Sequence, residues 1–120
     1  MSNLPDVTDA NFAEEVLQFP GVVLVDFWAP WCPPCLAMAP HVEQIAHKFA
    51  GNPNVKVVQM DIDQNTETSF NFRVMSIPAF KYFSGGKEVD EIIGAMPPIK
   101  LEESLRRALD ALPKSAPAAA

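Results

Sequence analysis

The stretch Val22-Val23-Leu24-Val25-Asp26-Phe27-Trp28-Ala29-Pro30-Trp31-Cys32-Pro33-Pro34-Cys35 decides the reading of this chain. Val22 to Trp28 is β-branched, aromatic or apolar at every position except Asp26, the pattern of a central strand buried on both faces. Pro30 to Pro34 must then turn. The turn opens a helix in which Val42, Ile45, Ala46 and Phe49 recur at i, i+3, i+4 and i+7 before Gly51. A C-x-x-C pair therefore stands at a strand-to-helix turn. Unpaired backbone N–H groups and the helix macrodipole favour a thiolate there, and such a placement lowers a thiol pKa from ~8.5 toward roughly 3.5–7.5. A thiolate is the species that attacks a disulfide. Cys32 is the expected exposed nucleophile, and Cys35, one turn further in, the buried resolving thiol.

Cys32 and Cys35 are the two cysteines of the chain. A loop this short gives little stabilisation when closed, so the pair is there for chemistry or for metal. Zinc would need His41 and His47, but the gap between the pairs is too short for a finger. On the helix His41 lies about 240° and His47 about 120° round from Cys35, at ~100° per residue. Both read as solvated surface residues. A redox-silent pair is the other plain alternative.

Asp26 is the second informative residue. A carboxylate inside a buried strand is costly unless neutral or paired, so its pKa should be raised. Lying just before the cysteines, it is placed to exchange a proton with Cys35. The plain alternative is an aspartate at a strand end that reaches water. Ile77-Pro78 opens a later strand, where a cis bond is one option and an ordinary loop proline the other.

Outward from this centre, the 120 residues are 48% hydrophobic and 20% charged, as in one soluble globular domain. The net charge of −6 argues against free nucleic acid, which needs a basic footprint. The longest apolar run, Val22 to Ala29, is broken by Asp26 and falls short of the ~20 residues that span a bilayer. Residues 1–20 lack a basic segment followed by an apolar one, so nothing marks the chain as secreted. A mature exported protein would read the same way.

Thr8 to Phe19 reads as a short helix, with Asn11 and Glu14 as a capping box and Phe12, Val16 and Phe19 on one face. Val55 to Ile62 reads as a strand and Thr66 to Phe72 as a short helix. Ala79–Phe83 and Lys87–Ile93 form a hairpin through Ser84-Gly85-Gly86. Leu101, Leu105, Ala108, Leu109 and Leu112 mark a closing amphipathic helix, ended by Pro113. A short extra strand near Leu4–Val7 is an option. The order α-β-α-β-α-β-β-α implies an α/β fold with a mixed sheet and helices on both faces. The expected domain covers 1–112, and the Ala/Pro-rich tail 113–120 is expected to be disordered.

The segment Val25 to Cys35, with Pro40 in the next helix, resembles the active-site segment of the thioredoxin family. Asp61-Ile62-Asp63-Gln64-Asn65, Ser76-Ile77-Pro78, Gly85-Gly86-Lys87 and Ile93-Gly94-Ala95 follow at matching intervals, so the resemblance covers about residues 4–112. It implies a central sheet of four or five strands and a dithiol–disulfide oxidoreductase that reduces protein disulfides. By position, Cys32 would attack, Cys35 would resolve, and Asp26 would assist proton transfer. Pro78 would be a cis-proline facing the disulfide, its preceding carbonyl and the N–H of Ile77 holding an extended substrate. Trp31, Pro33, Pro34, Ile77, Pro78, Gly94 and Ala95 would border the substrate groove, and Trp28 would pack beneath the loop. The resemblance also implies a cytoplasmic protein with no bound cofactor, recharged by an NADPH- and flavin-dependent thioredoxin reductase.

Two departures from the family pattern stand out. Pro33-Pro34 replaces the usual Gly-Pro, which stiffens the loop and removes an amide. Proline pairs of this kind also occur in anchored or periplasmic reductases of the cytochrome c maturation type. Those usually carry an N-terminal anchor or signal and an extra segment in mid-fold; neither is expected here, where 42 residues separate Cys35 from Pro78. Gln59 stands where a lysine is usual near the buried aspartate, which should raise Asp26 further. Leu36 likewise replaces a frequent basic residue. Alternatives to the reductase are an oxidant or isomerase in an oxidising compartment, and a redox-silent binding module.

Overall fold

The computed structural model describes residues 3–113. At its centre lies Val22–Trp28 (β1), with every residue buried. Pro33–Lys48 (α1) crosses over to Val55–Asp61 (β2), which pairs with β1 in parallel. After the short helix Thr66–Asn71 (α2), Ala79–Ser84 (β3) pairs with β1 antiparallel. Lys87–Ile93 (β4) returns beside β3, and Pro98–Asp110 (α3) closes the fold. The sheet order is β2-β1-β3-β4. Interior strands bury both faces, so β1 and β3 are apolar except at Asp26, Lys81 and the terminal Ser84, whereas the edge strand β4 is polar and has no fully buried residue.

Alternation along β1 feeds two cores. Val22 and Leu24 meet Met38, Val42, Ile45 and Phe49 of α1 and Leu101 and Leu105 of α3. Val23, Val25 and Phe27 face the other way, toward Val7, Phe12, Val16 and Phe83. Phe12, Phe72 and Phe83 contact one another there with ring centroids 5.2 to 5.5 Å apart. The β3–β4 hairpin turns on Gly85 and Gly86, at φ 61° and 81°, because a two-residue turn matching the strand twist needs positive φ at both positions.

The first helix differs from the sequence reading. Ala13–Leu17 is a π-helical segment, closed by Gln18 N–H donating to the Ala13 carbonyl at 2.9 Å. The expected Asn11–Glu14 box is absent: the N-cap is Phe12, with no side-chain cap, and the reciprocal pair is Thr8 and Asn11 in the turn before it. Thr8 N–H donates to Asn11 Oδ1 at 2.7 Å, and Asn11 N–H to Thr8 Oγ1 at 3.3 Å. The exchange occupies the Asn11 side chain, and Glu14 is exposed. Helix α1 ends at Lys48 rather than running to Gly51.

The extra strand near Leu4–Val7 reduces to one bridge, Asp6 with Gln59. Asp9 from the same segment accepts from the N–H groups of Thr68 (2.8 Å) and Glu67 (3.2 Å), capping α2 from a distant part of the chain. Of the expected tail, residues 114–120 lie outside the described residues.

Candidate active site

Cys32 and Cys35 form a disulfide, with Cα atoms 5.2 Å apart. Cys32 is the N-cap of α1, and its sulfur accepts from the Cys35 N–H at 3.2 Å. Pro33 and Pro34, both already helical, have no N–H to offer. The first turn thus presents a single amide to the sulfur, less than an ordinary helix end provides. The expected exposure of Cys32 is corrected: it is 4% exposed and Cys35 3%. The disulfide turns both side chains into a cluster with Trp28 and Ala29, against which Ile62 and Ile77 pack.

Trp31 is 63% exposed, and Pro33 and Pro34 are exposed beside it. The Trp31 indole N–H donates to Asp63 Oδ2 at 2.7 Å. Asp63 N–H in turn donates to Asp61 Oδ1 at 2.9 Å, a local turn that holds the carboxylate in place. Sequence reasoning gave Asp63 no role, although Asp61-Ile62-Asp63 carried the turn signal.

The Ile77–Pro78 bond is cis. Gly94 N–H donates to the Pro78 carbonyl at 2.8 Å, and Ile93 pairs with Ala79 in the ladder. Gly94 takes φ 90°, which strongly favours glycine, so the chain folds back and sets Ala95 exposed next to it. Ile77 thereby touches the cysteine cluster, and Pro78 ties the Gly94-Ala95 turn to the same side of the molecule.

Asp26 is 3% exposed, which removes the alternative of a strand end reaching water. Its Oδ1 has no hydrogen-bond partner, and burial pushes its pKa up to about 7. Cys35 heads the buried stripe of α1 (Cys35, Met38, Val42) that packs toward the sheet face carrying Leu24 and Asp26. Gln59 is the ladder partner of Asp26, but its Nε2 donates to Asp6 Oδ1 at 2.8 Å. His41 is half-buried and His47 exposed, and among the described residues no group of three His, Cys, Asp or Glu is placed to hold a metal. Nor is any described helix long and apolar enough to cross a membrane.

A disulfide-forming dithiol at a helix N-terminus, set at the end of the central strand of a mixed α/β sheet, defines a thiol–disulfide oxidoreductase of the protein-disulfide reductase kind. The comparison with known proteins narrows this further. The chain belongs to the thioredoxin family, whose family model matches residues 3–107. It is 44% identical over 109 residues to thioredoxin of Synechocystis sp., covering 91% of this chain and all of that relative. It is 42% identical to thioredoxin 1 of Nostoc sp. over the same shares, and 41% identical to thioredoxin of Staphylococcus saprophyticus over 86% of this chain and 95% of that one.

Proposed function

We propose that the protein is a general reductant of protein disulfides whose thioredoxin domain spans 1–112 and works without a bound cofactor, in the cytoplasm. The observation that supports this best is the Cys32–Cys35 disulfide at the N-cap of α1, with the unpartnered Asp26 on the strand beneath. The Cys32 thiolate attacks a substrate disulfide, forming a mixed disulfide and expelling one substrate thiolate. Asp26 takes the Cys35 proton, and the Cys35 sulfur then attacks Cys32 Sγ. The second substrate thiolate leaves, and two electrons have passed to the substrate. Trp31, Pro33, Pro34, Ile77, Pro78, Gly94 and Ala95 border the surface on which an extended substrate segment lies, and Trp28 supports the loop from below. An NADPH- and flavin-dependent thioredoxin reductase returns the pair to the dithiol.

The reduction potential of the pair, measured against glutathione or dithiothreitol buffers, tests the direction. A value near or below about −270 mV is expected for a reductase, whereas one above about −200 mV would favour an oxidant or isomerase. Replacing Cys35 by Ser should trap substrates on Cys32. Function that survives Cys32→Ser would instead mark a binding module.

A further inference from the structure

A cleft of about 350 Å³ opens beside the site, bordered by Asp6, Trp28, Pro30, Gln59, Asp61 and Gln64 among others. Two successive rows of the β1–β2 ladder account for its position. Asp26 pairs with Gln59, and Trp28 with Asp61. Register partners carry their side chains on the same face of a sheet. Three of these four residues border the cleft, and the fourth is Asp26, in the row next to Trp28. The same two rows hold two buried polar atoms without a hydrogen-bond partner, Asp26 Oδ1 and Trp28 Nε1.

Gln59 stands one strand away from Asp26, about 4.8 Å across the ladder. Its amide nevertheless turns away, donating to Asp6 Oδ1 at 2.8 Å. The backbone clamps Asp6 on both sides: Val7 N–H donates to the Gln59 carbonyl at 2.9 Å, and Gln59 N–H to the Pro5 carbonyl at 3.0 Å. We propose that Asp6 is a positioning residue for the exchange reaction. By holding the Gln59 amide toward the cleft it keeps that donor off the Asp26 carboxyl.

This rests on the reading of Asp26 as the group that takes the Cys35 proton. When Cys35 attacks Cys32, a new S–S bond forms and the bond from Cys32 to the substrate sulfur breaks, the electron pair leaving on that sulfur. The Cys35 proton passes to ionised Asp26 and must then reach solvent. A Gln59 N–H turned onto Asp26 would favour the ionised form and weaken it as a base. The other groups facing these rows are the Asp61 carboxylate on β2, the Cys32–Cys35 pair and Met38 on α1, and Phe80 on β3. Among the described residues no lysine or arginine borders the cleft.

The test measures insulin reduction by the dithiothreitol-recharged protein from pH 5 to 9, together with the Asp26 midpoint by carboxyl NMR. Asp6 is exposed, so its replacement removes no core packing. Asp6→Ala should slow the reaction about three- to tenfold at neutral pH, a small fraction of the ~10²–10⁴-fold that general acid–base catalysis supplies. It should also move the Asp26 midpoint down. Asp6→Asn, whose Oδ1 still accepts, should restore both. The double variant D6A/Q59L has no donor to release and should return the midpoint to its parent value. A D6A protein with an unchanged pH profile overturns the proposal, as does D6N impaired like D6A, or a double variant that stays low. Asp26→Asn separates the layers. If it leaves rate and profile untouched, the role of Asp26 fails and the proposal with it. If it abolishes the pH dependence that D6A does not move, only the role of Asp6 fails.

Discussion

The Trp31 indole is anchored by Asp63 through a 2.7 Å hydrogen bond that joins the rim of the disulfide to the loop after β2. An exposed indole with a single anchor swings when that anchor is removed, and a swinging ring costs ordering entropy each time a substrate docks. Asp63→Ala should therefore raise KM for a protein disulfide by roughly two- to fivefold, the worth of a modest hydrogen bond, with little change in kcat. Steady-state insulin reduction across substrate concentrations checks the split, and a variant that lowers kcat alone contradicts it.

Asp26 makes stability fall with pH. Its carboxyl titrates near 3.8 when unfolded and about 7 when folded, so between these values the folded chain holds the extra proton. Stability from this group declines as pH rises from about 4 through 7 and is level above, with a total penalty on the order of 4 kcal/mol. Asp26→Ala should flatten that slope and be clearly more stable than the parent at pH 8, while nearly matching it at pH 4. Urea unfolding at the two pH values reads this directly.

Lys81 lies on interior strand β3 with 2% of its surface exposed, yet its ammonium reaches Glu88 at 2.8 Å and Glu91 at 2.6 Å on β4. Burial pulls its pKa down, but the two carboxylates outweigh that and hold it above the usual lysine value. Removing both glutamates would strand a charge, so E88Q/E91Q should cost about 2–3 kcal/mol, less than a fully enclosed pair because the glutamates touch water. Lys81→Met, which removes the charge itself, should be within about 1 kcal/mol of the parent. Equal losses from both changes would refute this account.

Arg73 closes α2 in the left-handed region at φ 56°, the one non-glycine residue with positive φ among those described. Its N–H donates to the Phe70 carbonyl and Val74 N–H to the Ser69 carbonyl, the bond pattern of a helix end that prefers glycine at this position. Arg73→Gly should raise stability by about 0.5–1 kcal/mol, the strain relieved less the added freedom of the unfolded chain. A higher urea midpoint with unchanged m-value is the expected reading.

Periodicity carried most of the fold. The β1 run, the 3.6-residue stripes of α1 and α3 and the Gly85-Gly86 turn each depend on neighbours within a few positions, so each was readable from the chain. The cap that Asp9 supplies to α2 spans 59 positions to Thr68, and no local pattern announces it. The same holds for the Trp31–Asp63 bond and for the Asp6–Gln59 clasp, which join segments far apart in sequence. The π-helical segment escaped because its side-chain spacing resembles that of an ordinary helix over so few residues. The burial of Asp26 was legible from its apolar neighbours. The burial of Cys32 was not, because the helix end alone suggests an open sulfur, whereas the disulfide-bonded side chain packs with Trp28, Ala29 and Cys35.

The two edges of the sheet are unequal. Beyond β2 the segment around Pro5–Val7 occupies part of the outer edge, whereas β4 has no strand outside it among the described residues. A row of open backbone groups invites another chain to extend the sheet. Here that row belongs to Lys87-Glu88-Val89-Asp90-Glu91-Ile92-Ile93, in which acids outnumber bases three to one. Within each copy Lys81 holds Glu88 and Glu91, and Arg107 approaches Asp90 to 3.6 Å, so two copies meeting edge to edge would have to strip water from these ion pairs and from Lys87, a desolvation cost that guards the open edge of β4.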